Sequence, residues 1–230
     1  MVTTPLSEDA QTPDPHHPNP QEVLEEALYE ASHSSPEILA EVLREAEEGQ
    51  IDGAGGHPPR PGWLIFCPHL MVDAVAEVSV GELTAQGIQG VILDLDNTLV
   101  RWHQEEMTEE IIAWLEELKS AGMKLCILSN SVLSSRSQRI AERLECSFVR
   151  RAAKPTRQGF RKAMHAMGTA PAETAIVGDQ MFTDILGGNR SGIYTIMVKP
   201  IHAHEFPYTR YVSRPPEKVL LGWFRRKGLL

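Results

Sequence analysis

The stretch Val91-Ile92-Leu93-Asp94-Leu95-Asp96-Asn97-Thr98-Leu99-Val100 decides the reading of this chain. The apolar run Val91-Ile92-Leu93, broken by Asp94 and resumed at Leu95, reads as a strand buried on both faces, the kind found in parallel sheets. An acidic pair two residues apart then stands where the strand ends. In an open α/β sheet that is where chemistry collects.

The same grammar repeats on the C-terminal side. A helical stripe over 107–122 places Ile111, Trp114, Leu115 and Leu118 on one face, and Lys124-Leu-Cys-Ile-Leu follows as a strand ending in Ser129-Asn130. A helix over 136–144, a short strand over 146–150 and then Lys154-Pro155 come next. A helix over 158–167 leads to the strand Thr174-Ala-Ile-Val, which runs into Gly178-Asp179 and, five residues on, Asp184. A last strand covers 194–198. Strands alternating with helices predict a parallel α/β sheet covered on both faces, a three-layer sandwich of Rossmann-like build.

The residues at the strand ends are those that phosphoryl transfer needs. Asp94 can attack phosphorus and form an acyl phosphate. Asp96 can protonate the leaving oxygen and then activate water. Thr98 can brace that turn. Carboxylates and a phosphate repel one another unless cations intervene. A hard divalent ion, Mg²⁺, held by Asp94, Asp179 and the Asp96 carbonyl, with Asp184 on metal-bound water, meets half of that need. Lys154 meets the other half, and Ser129 with Asn130 completes a phosphate cradle. The competing structural reading, that Asp94 and Asp96 only cap a turn, leaves the ordered series Asp, Ser, Lys, Asp unexplained.

These motifs resemble the haloacid-dehalogenase (HAD) phosphatase superfamily: Asp94-Leu-Asp-Asn-Thr-Leu-Val its first motif, Leu128-Ser-Asn its second, Lys154-Pro its third, Gly178-Asp-Gln-Met-Phe-Thr-Asp its fourth. The longer run through Ile-Leu-Gly-Gly-Asn-Arg-Ser-Gly, with Pro68-His-Leu upstream, is similar to the YqeG branch, subclass IIIA. The resemblance covers about 63–211. It implies an Mg²⁺-dependent phosphatase with an aspartyl-phosphate intermediate. Fungal mitochondrial relatives of that branch dephosphorylate phosphatidylglycerophosphate, so a lipid head group is the expected substrate. The alternatives are a soluble sugar or nucleotide phosphate, or a non-catalytic binding protein on the same fold. Only 32 residues separate Asp96 from Ser129 and 24 separate Asn130 from Pro155, too few for the cap domain that many members carry.

The rest of the chain bounds the answer. Of the net charge of −9, residues 1–60 carry −11, thirteen Asp and Glu against two Arg, so the remaining 170 residues carry +2. No basic face suggests nucleic acid. Residues 1–61 read as an acidic extension, disordered at first and then forming a helical hairpin (Val23, Leu24, Ala27, Leu28, Ala31; Ile38, Leu39, Val42, Leu43, Ala46), a candidate surface for a protein partner. A Gly- and Pro-rich linker over 52–62 separates it from the phosphatase domain, 62–230. Cys67, Cys126 and Cys146 form no C-x-x-C pair and suit a reduced, cytoplasmic protein. Cys126 reads as core. The apolar stretch over 63–76 is interrupted by Pro68, His69 and Asp73 and cannot span a bilayer. His202 and His204 read as a loop pair, and Gly187-Gly-Asn-Arg-Ser-Gly as a tight, glycine-bearing helix segment, with substrate contact by Arg190 the lesser alternative. The tail, 218–230, sets Leu220, Leu221, Trp223 and Phe224 beside Arg225, Arg226 and Lys227. It reads equally as a membrane-surface helix and as a helix packed on its own domain.

Overall fold

In the computed structural model the described residues are 57, 62–102, 104–131, 134–202 and 214–230. The expected N-terminal hairpin and His204 lie outside them. Six parallel strands form one sheet: β1 (Leu70–Val72), β2 (Gly90–Leu93), β3 (Lys124–Leu128), β4 (Ser147–Val149), β5 (Thr174–Gly178) and β6 (Tyr194–Val198), in the order β1-β6-β5-β2-β3-β4. The helices are α1 (Val80–Ala85), α2 (Glu109–Ser120), α3 (Ser134–Arg143), α4 (Arg157–Met167), α5 (Leu186–Arg190) and α6 (Arg214–Arg226).

Side-chain alternation along the strands builds two cores. Val91, Leu93, Leu125, Ile127, Ala175 and Val177 point to one face, under Ile111, Trp114, Leu115 and Leu118 of α2 and Ile140 and Leu144 near α3. Ile92, Cys126, Leu128 and Ile176 point to the other, under Phe160, Ala163, Met164 and Met167 of α4. Further along that second face, Met197 of β6 meets Ile65, Phe66, Ile185, Leu186, Leu221 and Phe224. Strands buried on both faces cannot alternate apolar with polar, which is why they read as continuous apolar runs. Among the described residues, 97–123 and 129–146 hold α2 and α3 and no other helix between strands, so the fold has no cap there.

The direction of chain travel reverses at β2 and β5. From β2 the chain steps outward through β3 and β4, then crosses back to β5 on the other side of β2. These neighbours pair Leu93 with Val177. Such a switch point leaves a crevice outside the carboxyl ends of both strands.

Two elements go beyond the sequence reading. β1 is three half-buried residues at the sheet edge, paired with β6. α1 is six residues, capped by the Ser79 side chain, which accepts from the Glu82 N–H at 3.2 Å, and it buries Val80 and Leu83. Both are too short to display a period. His57, inside the expected linker, donates its N–H to Gly192 O at 2.9 Å, and its ring lies 5.2 Å from that of Tyr194.

The tail is a correction in one part. Phe224 is fully buried and Leu221 nearly so, both packed in the core beneath α6. Phe224 is therefore not available to enter a membrane. Val219 (69% exposed) and Trp223 (37%) face outward.

Candidate active site

Asp94 is the first residue past β2. Its N–H still donates to Val177 O at 3.0 Å, which fixes its backbone to β5. The chain then turns sharply: the N–H groups of Leu99 and Val100 both donate to Leu95 O, and Asn97 takes φ = 62°. Asparagine tolerates this left-handed conformation better than most residues. The turn leaves the Asp94 side chain buried and that of Asp96 21% exposed at the rim.

Three carboxylates converge. Oxygens of Asp94, Asp179 and Asp184, all buried, lie within 4.8 Å of one another. Asp179 follows β5 directly. Asp184 rides on a π-type turn, Met181–Ile185, an irregularity that often accompanies functional sites. Its Oδ2 accepts from the Gln180 N–H at 3.1 Å. Gly178 makes room for it, since a Cβ there would stand 2.4 Å from Asp184 Cγ. Thr98 is fully buried, and its hydroxyl donates to Asp179 Oδ1 at 3.4 Å rather than bracing its own turn.

Lys154 enters from the far side. Its buried ammonium donates to Asp94 Oδ1 at 2.5 Å and Asp184 Oδ1 at 2.7 Å. These two carboxylates raise its pKa against the lowering effect of burial. Burial pushes Asp94 up to about 7, although the Lys154 charge opposes the shift. The loop carrying Lys154 is over-determined. Arg151 and Ala153 adopt positive φ (48° and 52°), and Ala152 N–H donates to Ser129 O at 3.0 Å. Arg190, buried at the end of α5, donates from Nη1 to Pro155 O at 3.1 Å.

Ser129 is buried, and its Oγ accepts the Ser131 N–H at 3.1 Å. The Asn130 side chain turns toward the lysine loop. Its Oδ1 accepts the Lys154 N–H at 2.8 Å and its Nδ2 donates to Lys154 O at 3.2 Å, so its amide clasps the lysine's main chain. Cys126 lies in β3 with its thiol pushed up to about 12 by burial, as suits a core residue.

The sequence reading passed over two residues. Arg136 of α3 donates from Nη2 to Asp96 Oδ1 at 2.5 Å. The recurrence of Arg136, Arg139 and Arg143 along one face of α3 was the available signal. Glu217 of α6 is buried, and its Oε2 accepts the Met181 N–H at 3.5 Å, tying the tail helix to the turn that carries Asp184. A buried glutamate 33 residues past Asp184, where the last motif ends, has no local signature.

Do these residues suit a divalent cation? Asp94 Oδ2 is buried without a hydrogen-bond partner. Buried polar atoms are nearly always satisfied, and three close carboxylates carry more charge than one ammonium neutralises. An all-oxygen set of this kind fits a hard cation.

Comparison with known proteins agrees with the geometry. The haloacid dehalogenase-like hydrolase profile matches residues 77–192. The chain is 36% identical over 163 residues to the probable phosphatase YqeG of Bacillus subtilis (strain 168), covering 71% of this chain and 94% of that one. It is 27% identical over 170 residues to phosphatidylglycerophosphate phosphatase 1, chloroplastic/mitochondrial, of Arabidopsis thaliana, covering 70% of this chain and about half (49%) of that one. It is 27% identical over 153 residues to the mitochondrial phosphatidylglycerophosphatase GEP4 of Saccharomyces cerevisiae, covering 59% and 82%. With the switch-point sheet and the acidic strand ends already in place, the match to YqeG over most of both chains settles the affiliation: the chain belongs to the YqeG branch of the haloacid dehalogenase-like hydrolases and is a phosphatase.

Proposed function

We propose that the chain is a Mg²⁺-dependent phosphomonoesterase that works through an aspartyl phosphate on Asp94, with phosphatidylglycerophosphate as its substrate. The observation that carries the chemistry is the state of Asp94: one oxygen held by Lys154, the other buried without a hydrogen-bond partner, beside two more carboxylates.

Asp94 attacks phosphorus, the bond to the leaving alcohol breaks, and Asp96 gives that oxygen its proton. Asp96 then takes a proton from water as the water attacks the acyl phosphate, releasing inorganic phosphate and restoring the Asp94 carboxylate. Lys154 neutralises phosphoryl oxygens and fixes the plane of the attacking carboxylate. Because Ser129 Oγ accepts from the Ser131 N–H, its own O–H is left to donate to phosphate. Asn130 and Arg190 position the lysine loop. Asp94, Asp179 and Asp184 would hold the cation with the Asp96 carbonyl. When bound, Mg²⁺ supplies the positive charge that lets an anionic ester approach an acidic site.

The names of the plant and yeast relatives support the lipid substrate, as does the absence, among the described residues, of a cap between β2 and β3 or between β3 and β4. No helix among the described residues is long and apolar enough to cross a membrane, so a lipid substrate would be met from the bilayer surface. The test is phosphate release from phosphatidylglycerophosphate in mixed micelles and from sugar and nucleotide phosphates, with and without Mg²⁺, using Asp94→Asn as control. Preference for the lipid supports the reading; a sugar or nucleotide phosphate turned over faster overturns it.

A further inference from the structure

We propose that Arg136 reads a second anionic group on the substrate's leaving alcohol, which makes it a specificity-determining residue of this site. The inference rests on the assignment of Asp96 as the acid that protonates the leaving oxygen.

A residue in contact with the leaving-group acid stands on the leaving-group side of the site, away from the phosphoryl group. Arg136 meets that condition: its Nη2 lies 2.5 Å from Asp96 Oδ1, and its side chain is 12% exposed against 21% for Asp96. Its placement is fixed from two directions. Nη1 donates to Gln104 O at 2.6 Å. One and two turns along α3, Arg139 pairs with the Glu105 carboxylate and Arg143 Nη2 donates to Glu105 O at 2.6 Å. Three arginines on one face of α3 thus grip the segment that follows the Asp94 turn, and the one nearest the mouth is aimed at Asp96.

A guanidinium has five N–H donors in a planar fork. Asp96 and Gln104 engage Nη2 and Nη1, which leaves further N–H groups for another acceptor. Planar, two-pronged donation suits a phosphate diester or a carboxylate. A substrate whose alcohol carries such a group would draw the guanidinium onto itself and release Asp96 for proton transfer. A substrate without one leaves Asp96 engaged with Arg136, in competition with the leaving oxygen. The class of substrate is therefore a phosphomonoester with a second anion a few bonds beyond the ester oxygen. A phospholipid head group and its free, deacylated counterpart share that chemistry.

The test compares three substrates with Mg²⁺ present: glycerol 3-phosphate, deacylated phosphatidylglycerophosphate, and the intact lipid in mixed micelles. In the wild type, kcat/KM for the deacylated compound should exceed that for glycerol 3-phosphate by about tenfold or more, the scale of one charge-assisted bidentate contact. Arg136→Gln should lose at least tenfold more on the deacylated compound than on glycerol 3-phosphate, through KM and kcat together, and Arg136→Lys should recover part of that ratio. Equal losses of Arg136→Gln on both compounds would show a structural role and overturn the inference, as would a wild-type ratio near one. The lipid arm is separate. If the intact lipid is turned over no better than its deacylated form, the lipid reading fails, while the Arg136 result stands on the two soluble compounds alone.

Discussion

Gly178→Ala adds one methyl group and tests how tightly the acidic trio is built. The new Cβ would lie 2.4 Å from Asp184 Cγ, 2.5 Å from Oδ2 and 2.6 Å from Cβ. Ordinary carbon contacts begin near 3.5 Å, so Asp184 must retreat by about 1 Å. It has little freedom to do so: it is fully buried, its Oδ1 accepts from Lys154, and its Oδ2 accepts from the Gln180 N–H. Two effects oppose each other. Replacing a strand glycine relieves about 0.5–1 kcal/mol of unfolded-chain entropy. Overpacking a buried site costs about 1–3 kcal/mol. The clash wins, for a net loss of about 0–2.5 kcal/mol in urea denaturation. The functional cost is larger, since a displacement near 1 Å within a catalytic constellation can cost about 10²-fold in turnover. The assay is kcat on a small phosphate ester over a Mg²⁺ titration, with circular dichroism to confirm the fold. Wild-type kcat at the wild-type Mg²⁺ requirement would refute the claim that Asp184 is held in place for function.

Phe224→Ala should cost about 3–5 kcal/mol in urea denaturation, the range for emptying a buried aromatic site; a loss under 1 kcal/mol would show that α6 does not pack as described. Trp223→Ala, changing an outward side chain, should leave stability within about 1 kcal/mol and weaken co-sedimentation with anionic vesicles; unchanged binding would remove the tail from any membrane contact. In the metal-free protein Asp94 stands at about 7, above the usual carboxylate value near 4. Folding therefore takes up a proton between those pH values, and metal-free stability should fall as pH rises through that window, read from urea midpoints at pH 5 and pH 8. Cation binding needs the carboxylate, so the Mg²⁺ requirement should ease by up to about tenfold per pH unit up to about 7 and level off above it; a requirement independent of pH would contradict the shift.

The parts of the molecule legible in sequence are those where one residue type does one local job. The buried strands are continuous apolar runs, and each central strand ends in a residue whose chemistry is plain: Asp94, Ser129, Asp179. The alternation of strands and helices implies a parallel sheet covered on both faces, while the order β1-β6-β5-β2-β3-β4 comes from the structure alone. Other features depend on partners far away in the chain. That both ends of the Asn130 amide meet the main chain of Lys154, 24 residues on, has no signal in the local sequence. Arg136 reads as an exposed helix charge until α3 is laid against Asp96 and Gln104. The tail illustrates a limit of pattern reading, since an amphipathic helix shows the same stripe whether its apolar face meets lipid or its own domain. Leu221 and Phe224 met the domain, while Val219 and Trp223 did not.

The central claim is that Asp94 carries the phosphoryl group. Rapid acid quench of the Mg²⁺-bound enzyme during turnover, followed by peptide mass spectrometry, tests it directly. The account predicts one phosphoryl group on the peptide containing Asp94, labile to hydroxylamine as an acyl phosphate is, and neither label nor turnover in Asp94→Asn. Phosphate release at the wild-type rate by Asp94→Asn, or a label on another residue, would contradict it.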